Sequence, residues 1–232
     1  MDNQSTKTYK EMSLSIELKE GTKQSHSAAE NTKFVSSFLR GVVDKEQYKQ
    51  LIANFYFVYR AMEEEIEKRR GDSTLGKLFF TELNRVPALE QDLRYFYGPI
   101  WRSIVEPTDQ CQRYVNRIRE VAKDDPELLI AHHYTRYIGD LSGGQILKKI
   151  AERTIGTEGL NFYEFPNITD KKGFKASYKT MLDTLDLDQH QINAIIVEAN
   201  YAFRLNMYMF DELQGSSWLG FLKYIIGRLW QQ

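Results

Sequence analysis

Two segments carry the residue types that do chemistry. The first, KEGTKQSHSAAEN, runs from Lys19 to Asn31 and places Glu30 four residues after His26, on the same face of a helix. A helix-borne histidine with a carboxylate beside it suits an axial metal ligand, because the partner orients the ring and makes the other nitrogen more basic. From this segment alone, a histidine satisfied at a surface or core edge is the simpler account. The second segment, HHYTRYIGDLSGGQ, spans His132 to Gln145 and reads as helical throughout. Gly139, Gly143 and Gly144 inside a helix cost about 1 kcal/mol each relative to alanine. That cost points to a bend, or to backbone that must come close to something. Helix packing through Gly-x-x-x-Gly explains Gly139 and Gly143 equally well. It explains less well why Arg136 and Asp140 stand four apart beside that stripe. Bare backbone next to an Arg–Asp pair suits a planar ligand approached on one face, and both readings stay open. Lys19, Lys175 and Lys179 have the charge to clamp a dianion, although a solvated lysine face accounts for them unaided. Phe203 and Phe210, seven apart, share a helix face, as core aromatics usually do.

Other signatures fail on chemistry. Leu141-Ser142-Gly143-Gly144-Gln145 spells an ATP-cassette signature, and Gly71 to Lys77 reads GDSTLGK. The next position of a phosphate loop must offer a hydroxyl to magnesium, and here it is Leu78. The run also follows the charged segment EEEIEKRR instead of a buried strand. A di-iron bundle needs Glu-x-x-His pairs, and none of the four histidines has a glutamate three residues before it. The sole cysteine, Cys111, rules out a disulfide framework and a multi-thiolate zinc site, and fits a reducing compartment.

The elements that must position these residues are helical. No segment alternates with period two, and five prolines punctuate the whole chain. Asp44 with Gln47, Asp125 before Pro126, and Asp188 with Gln191 read as helix starts. The pattern predicts helices near 13–30, 44–69, 85–98, 108–123, 126–153, 170–184 and 188–213 in one all-α domain. At 232 residues the chain can bury roughly 70% of its extended surface without staples. Thirty-one basic against 32 acidic residues argue against nucleic acid as a partner. The aromatic share of 13% hints at a flat ligand, with an aromatic core as the commoner explanation. Residues 1–12 read as a flexible N-terminus, polar and without a signal or transit pattern. Residues 215–232 read as an apolar C-terminal helix or tail. Trp218, Phe221, Leu222, Ile225, Ile226 and Leu229 fall at helical spacing, interrupted by Lys223 and Arg228. Packing on the domain is favoured over contact with a membrane or partner.

Taken together the segments resemble the biliverdin-forming heme oxygenases, from about Leu14 to Leu213. KEGTKQSHSAAEN is similar to the family's proximal-helix motif. ELLIAHHYTRYIGDLSGGQILKKIA is similar to its distal-helix motif over a long ungapped run. NRVPALEQDLRYFYG and EANYAFRLNMYMFDEL add to the likeness. FVSSFLRGVV, FYFVYRAMEEE and the YEF starting at Tyr163 resemble the cyanobacterial and plastid branch. The resemblance implies an all-helical fold with heme between the first helix and a kinked distal helix. It implies His26 as axial iron ligand with Glu30 beside it. Gly139 and Gly143 would lie on the heme face, and Asp140 would order distal water. Tyr59, Tyr114 and Arg136 match distal hydrogen-bonding positions. Lys19, Tyr134, Lys175 and Lys179 match positions near the propionates, and Thr135, Phe203, Asn206 and Phe210 match other cofactor contacts. Lys179 stands where arginine is usual, which leaves a point charge in place of a bidentate fork. Pro87 is also unusual, and is expected to shift the start of its helix.

The implied reaction is oxygen-dependent opening of heme at the α-meso carbon to biliverdin IXα, carbon monoxide and ferrous iron. Heme is both substrate and cofactor. Electrons would come from ferredoxin, received on a basic patch at Lys148, Lys149 and Arg153. A monomer is expected, in a cyanobacterial cytoplasm, in a host infected by a virus of such a cell, or in a plastid stroma, serving phycobilin synthesis or iron recovery. The rival functions are a non-catalytic heme carrier on the same fold, a helical thiaminase-type hydrolase using Cys111, and a purely structural helical protein.

Overall fold

In the computed structural model residues 13–229 have a described backbone, and residues 13–214 have described side chains. Among these residues there is no strand. The element order is α1 (Leu14–Gly21), α2 (Lys23–Glu30), α3 (Lys33–Leu39), α4 (Lys45–Glu67), α5 (Val86–Tyr97), α6 (Asp109–Asp124), α7 (Leu129–Ile155), α8 (Lys171–Leu182) and α9 (Gln189–Leu229), with short 3₁₀ turns between several of them. The long helices α4, α7 and α9 carry the core. Helix α9 packs on α1, α2, α3, α4, α6 and α7, and α4 packs on α5, α6, α7 and α9.

Helix starts follow the chemistry of the capping residues, with instructive exceptions. Asp188 and Gln191 form a full reciprocal cap: Gln191 N–H donates to Asp188 Oδ1 at 2.8 Å, and Asp188 N–H donates to Gln191 Oε1 at 2.9 Å. Asp44 caps Gln47 N–H at 2.9 Å, but the Gln47 amide turns away to the Leu213 carbonyl at 3.3 Å. Asp125 does not cap. Its backbone is at φ −152°, ψ 77° with no side-chain cap bond, and a 3₁₀ turn, Pro126–Leu128, leads into α7. Pro87 fits in the first turn of α5, where its missing N–H costs nothing.

The expected single helix over 13–30 is two. The chain breaks at Thr22 (φ −104°, ψ 0°), whose hydroxyl donates to the Leu18 carbonyl at 2.7 Å, a back-bond that bends helices. Helix α3, not expected, forms where Thr32 accepts from Val35 N–H at 3.4 Å. It buries Phe34 and Phe38, with Phe34 stacked 5.6 Å from Phe210. Helix α9 does not stop near 213 but continues to Leu229. Whether Trp218 to Trp230 packs or meets an interface lies outside the residues with described side chains. Among the described residues no helix is long and apolar enough to cross a membrane.

Candidate active site

Helix α7 runs unbroken through all three glycines, and its two sides differ in kind. Twelve of its residues are buried, including His132, His133, Thr135, Arg136 and Tyr137. Gly139, Ser142 and Ile146 are exposed and Gly143 is half-exposed, so positions 139, 142, 143 and 146 form one open stripe. A Cβ added at Gly139 or Gly143 would meet nothing within 4 Å. These glycines therefore do not serve helix packing. They leave a bare backbone face open to a ligand. Gly144, by contrast, is buried, with the Tyr163 ring 3.6 Å from where its Cβ would be.

A polar cluster sits beside this face. Tyr59, on α4, donates its hydroxyl to Asp140 Oδ2 and accepts from Arg136 Nε at 3.0 Å. Arg136 also donates to Asn206 Oδ1 on α9 at 2.7 Å and approaches Asp140 Oδ1 at 3.5 Å. Its guanidinium lies over the Phe55 and Tyr59 rings, 4.4 Å and 5.1 Å from their centroids. Asp140 is 11% exposed, so its carboxylate lies at the edge between the buried cluster and the open stripe. Burial raises its pKa above the ordinary carboxylate value, against the pull of Arg136, Tyr59 and Arg85. Burial works against the Arg136 charge too, but Tyr59, Asp140 and Tyr114 outweigh it and hold the guanidinium protonated. Burial pushes Tyr114 up to about 12, and Tyr59 is also raised by burial. Both phenols stay neutral, able to give and take a hydrogen bond.

His26 is arranged differently. It is exposed on α2, with Nδ1 3.7 Å from Glu30 Oε1 and its ring edge-on to Phe203 at 5.8 Å. A free nitrogen donor, a carboxylate at the other nitrogen and an open approach form the donor set of a single axial bond, not of a protein-caged metal. No group of three or more metal-ligating side chains occurs among the described residues. The two sides meet on one stretch of α9. Phe203 touches His26 and Asn206 holds Arg136, three residues apart. On α8, Lys175 donates to Ser142 Oγ at 3.2 Å, which brings a cation to the rim of the glycine stripe. Lys19 and Lys179 are exposed. Tyr134 and Thr135 are buried on α7, and Phe210 is occupied by Phe34.

The arrangement, a bare helix face with a cation at its rim and a buried acid at its edge, together with a lone exposed histidine, fits a flat, anionic, metal-bearing ring. A family model for heme oxygenase matches residues 12–212. The chain belongs to the heme oxygenase family. It is 52% identical to the heme oxygenase of Guillardia theta over 206 residues, 88% of this chain and 87% of that one. It is 51% identical to heme oxygenase 1 of the cyanobacterium Synechocystis over 207 residues, 88% of this chain and 86% of that one. The crystal structure of that cyanobacterium's heme oxygenase-1 in complex with heme matches with a TM-score of 0.88 and 49% identity, covering 94% of this chain and all of that one. The fold is that of the heme oxygenases, and heme is the substrate and cofactor.

Several members of this site were not foreseen. Glu63 accepts from the backbone N–H groups of Arg85 and Val86 at 2.5 Å and 3.3 Å, and from the Tyr137 hydroxyl at 3.1 Å. Burial raises its pKa to about 7. It borders a cavity of about 240 Å³, with His133 and Tyr137 on the side of α7 away from the glycine stripe. The Tyr137 ring lies 5.6 Å from that of Tyr59, so a second acid flanks the distal cluster. Glu63 sits in a run of three glutamates, and nothing in that run distinguishes the one that meets Tyr137. His132 bonds Glu198 at 3.0 Å, and Arg117 grips the same carboxylate at 2.7 Å and 2.9 Å, pinning α6, α7 and α9 together behind Tyr114. These partners keep Glu198 ionised, with its pKa lowered to about 2 despite burial.

One expectation changes, and two sequence features take structural roles. Lys148 is not a free cation, since it pairs with Glu164 and with Glu152 at 3.2 Å, while Lys149 and Arg153 remain exposed. Cys111 is buried, donates its thiol to the Asn54 carbonyl at 3.3 Å, and has its pKa pushed up by burial, so it is no nucleophile. The GDSTLGK run is a turn in which Asp72 caps Thr74 and Leu75 and Lys77 reaches the Thr184 carbonyl.

Proposed function

We propose that this heme oxygenase family member opens heme at the α-meso carbon to biliverdin IXα, carbon monoxide and ferrous iron, with electrons from reduced ferredoxin. When bound, heme supplies the oxygen chemistry and the carbon skeleton that is opened. The protein supplies position and protons. His26 would hold the iron through Nε2, with the Glu30 carboxylate 3.7 Å from Nδ1. Gly139 and Gly143 crowd one face with backbone alone. Asp140, on its edge, holds distal water and moves a proton through Oδ2, backed by Tyr59, which stands between it and Arg136. Tyr114 and Asn206 complete that distal set. Lys19, Lys175 and Lys179 neutralise the propionates near Tyr134, with Thr135, Phe203 and Phe210 as the remaining pocket walls. With Lys148 engaged, Lys149 and Arg153 are left to attract an acidic ferredoxin. The expected setting is a cyanobacterial cytoplasm or a plastid stroma, in phycobilin synthesis, as a monomer.

The observation that carries this reading is the open glycine face with the Asp140–Tyr59–Arg136 chain at its edge. A carrier needs the face and the histidine but not the acid chain. Hemin, oxygen and reduced ferredoxin in one cuvette test it. Loss of the Soret band with appearance of an extractable bilin is expected; a Soret band that persists means a carrier.

A further inference from the structure

Helix α2 buries none of its eight residues. A helix normally stays in place because an apolar stripe is buried, at about 1.5–3 kcal/mol per large side chain. Helix α2 lacks such an anchor, yet it carries His26. The His26 ring itself is loosely held, with a carboxylate at 3.7 Å, beyond hydrogen-bond range, and one aromatic edge. Its direction is therefore set by where the α2 backbone lies.

One side chain of α9 fixes that backbone. Asn200 Oδ1 accepts from the hydroxyl of Ser25, the residue before His26, at 2.5 Å. Asn200 Nδ2 donates to the Gly21 carbonyl at 3.0 Å and to the Ile196 carbonyl at 2.8 Å. The Asn200 amide thus ties α9 to both sides of the α1–α2 break in one plane. Gly21 makes the contact possible, because a Cβ there would lie 2.6 Å from Ile196 Cγ2. One turn further along α9, Phe203 meets the His26 ring. Ile196, Asn200 and Phe203 fall at i, i+4 and i+7, on one face of α9.

We propose that Asn200, through Ser25 and the Gly21 carbonyl, is the positioning residue for the axial histidine: it holds α2 against α9 and so sets the angle at which His26 presents Nε2. The inference rests on the reading of His26 as axial ligand. Two hydrogen bonds, not apolar burial, decide how firmly the iron is held from the proximal side, and the α2 segment opens easily when they are lost.

The test uses the full chain with Ser25→Ala, Asn200→Leu, Ser25→Thr and His26→Ala. Hydrogen exchange over residues 23–30 is followed in the hemin-free protein. Transfer of hemin to apomyoglobin and the ferric absorption spectrum are followed in the loaded protein. Ser25→Ala and Asn200→Leu are expected to raise exchange at 23–30 and the rate of hemin loss roughly tenfold, the effect of losing one or two well-made hydrogen bonds. Both should shift the ferric spectrum toward that of His26→Ala, and Ser25→Thr, which keeps the hydroxyl, should behave as the parent. Unchanged exchange at 23–30 in both variants overturns the proposal. So does raised exchange with parental hemin loss and spectrum, provided His26→Ala alters both. A His26→Ala spectrum identical to the parent means that the axial assignment itself is wrong, and this inference falls with it.

Discussion

Helices α7 and α2 are held in opposite ways. Helix α7 buries twelve residues, and its Arg136, Asp140 and His133 are fixed by partners from other helices: Tyr59 from α4, Asn206 from α9, and Tyr178 from α8 on His133 at 2.7 Å. Helix α2 buries none and presents its histidine to open space. The difference suits what each side does in the proposed reaction. Proton delivery needs dipoles that are fixed beforehand in a low-dielectric setting, where they need not reorganise during the reaction. An axial ligand needs only a nitrogen and a direction, because the bond itself completes the site. On the proposed reading, the distal side is pre-organised by packing and the proximal side is completed by its ligand.

The strongest way to break that comparison is to remove the histidine. His26→Ala should abolish turnover while some hemin stays bound through the lysines and aromatics, and imidazole should restore a histidine-like spectrum. Turnover at the parental rate without imidazole would show that the proximal side needs no histidine.

Next in size is the distal acid. Asp140→Ala should bind hemin as the parent does, since neither the axial donor nor the lysines change. Loss of ordered water worth about 3 kcal/mol should lower the bilin yield roughly a hundredfold. With one equivalent of hydrogen peroxide the variant should consume the oxidant without opening the ring. A parental biliverdin yield removes Asp140 from the reaction; loss of hemin binding makes it a structural residue of α7.

A third experiment sharpens the claim that the distal side is built around buried acids. Glu63 holds its proton more tightly folded, at about 7, than unfolded, at 4.5. Below pH 4.5 both states are protonated. Between 4.5 and 7 only the unfolded chain releases the proton, so this stabilisation fades as pH rises through 7, by at most about 3 kcal/mol. Glu63→Gln keeps an oxygen for Tyr137 and the Arg85 and Val86 N–H groups but has no proton to lose. Its melting temperature should fall less than the parent's between pH 5 and pH 8. Parallel curves would mean that Glu63 is solvated.

The smallest effect is expected at the end of the chain. Deleting residues 215–232 removes nothing that the family model matches, so turnover should stay within a few-fold of the parent. A truncated protein unable to bind hemin would make the far end of α9 part of the proximal support.

Much of this site could be read from residue spacing. Asp ahead of apolar periodicity marked the helix starts where its side chain does the capping, as at Asp44 and Asp188. It failed at Asp125, where Pro126 favours a 3₁₀ turn and the backbone turns the carboxylate away. The break at Thr22 escaped because α1 and α2 together keep a plausible helical pattern, and a single hydroxyl back-bond decides otherwise. The i,i+4 pairs, His26 with Glu30 and Arg136 with Asp140, were legible because a helix makes them neighbours whatever else it touches.

What the sequence determined by itself is therefore local: helices, one-face pairs, glycines without side chains, and motifs long enough to resemble a family. What only the tertiary structure decided is which polar groups lost their water and to whom they turned. Lys148 looked like a docking cation until Glu152 and Glu164 reached it, and Glu63, one residue of a charged run, is bonded by Arg85, Val86 and Tyr137. Asn200, an ordinary helix position in the sequence, holds two carbonyls and a hydroxyl at the break before His26. Each of these depends on a partner distant in sequence, and no local pattern records the burial that gives such a contact its energy.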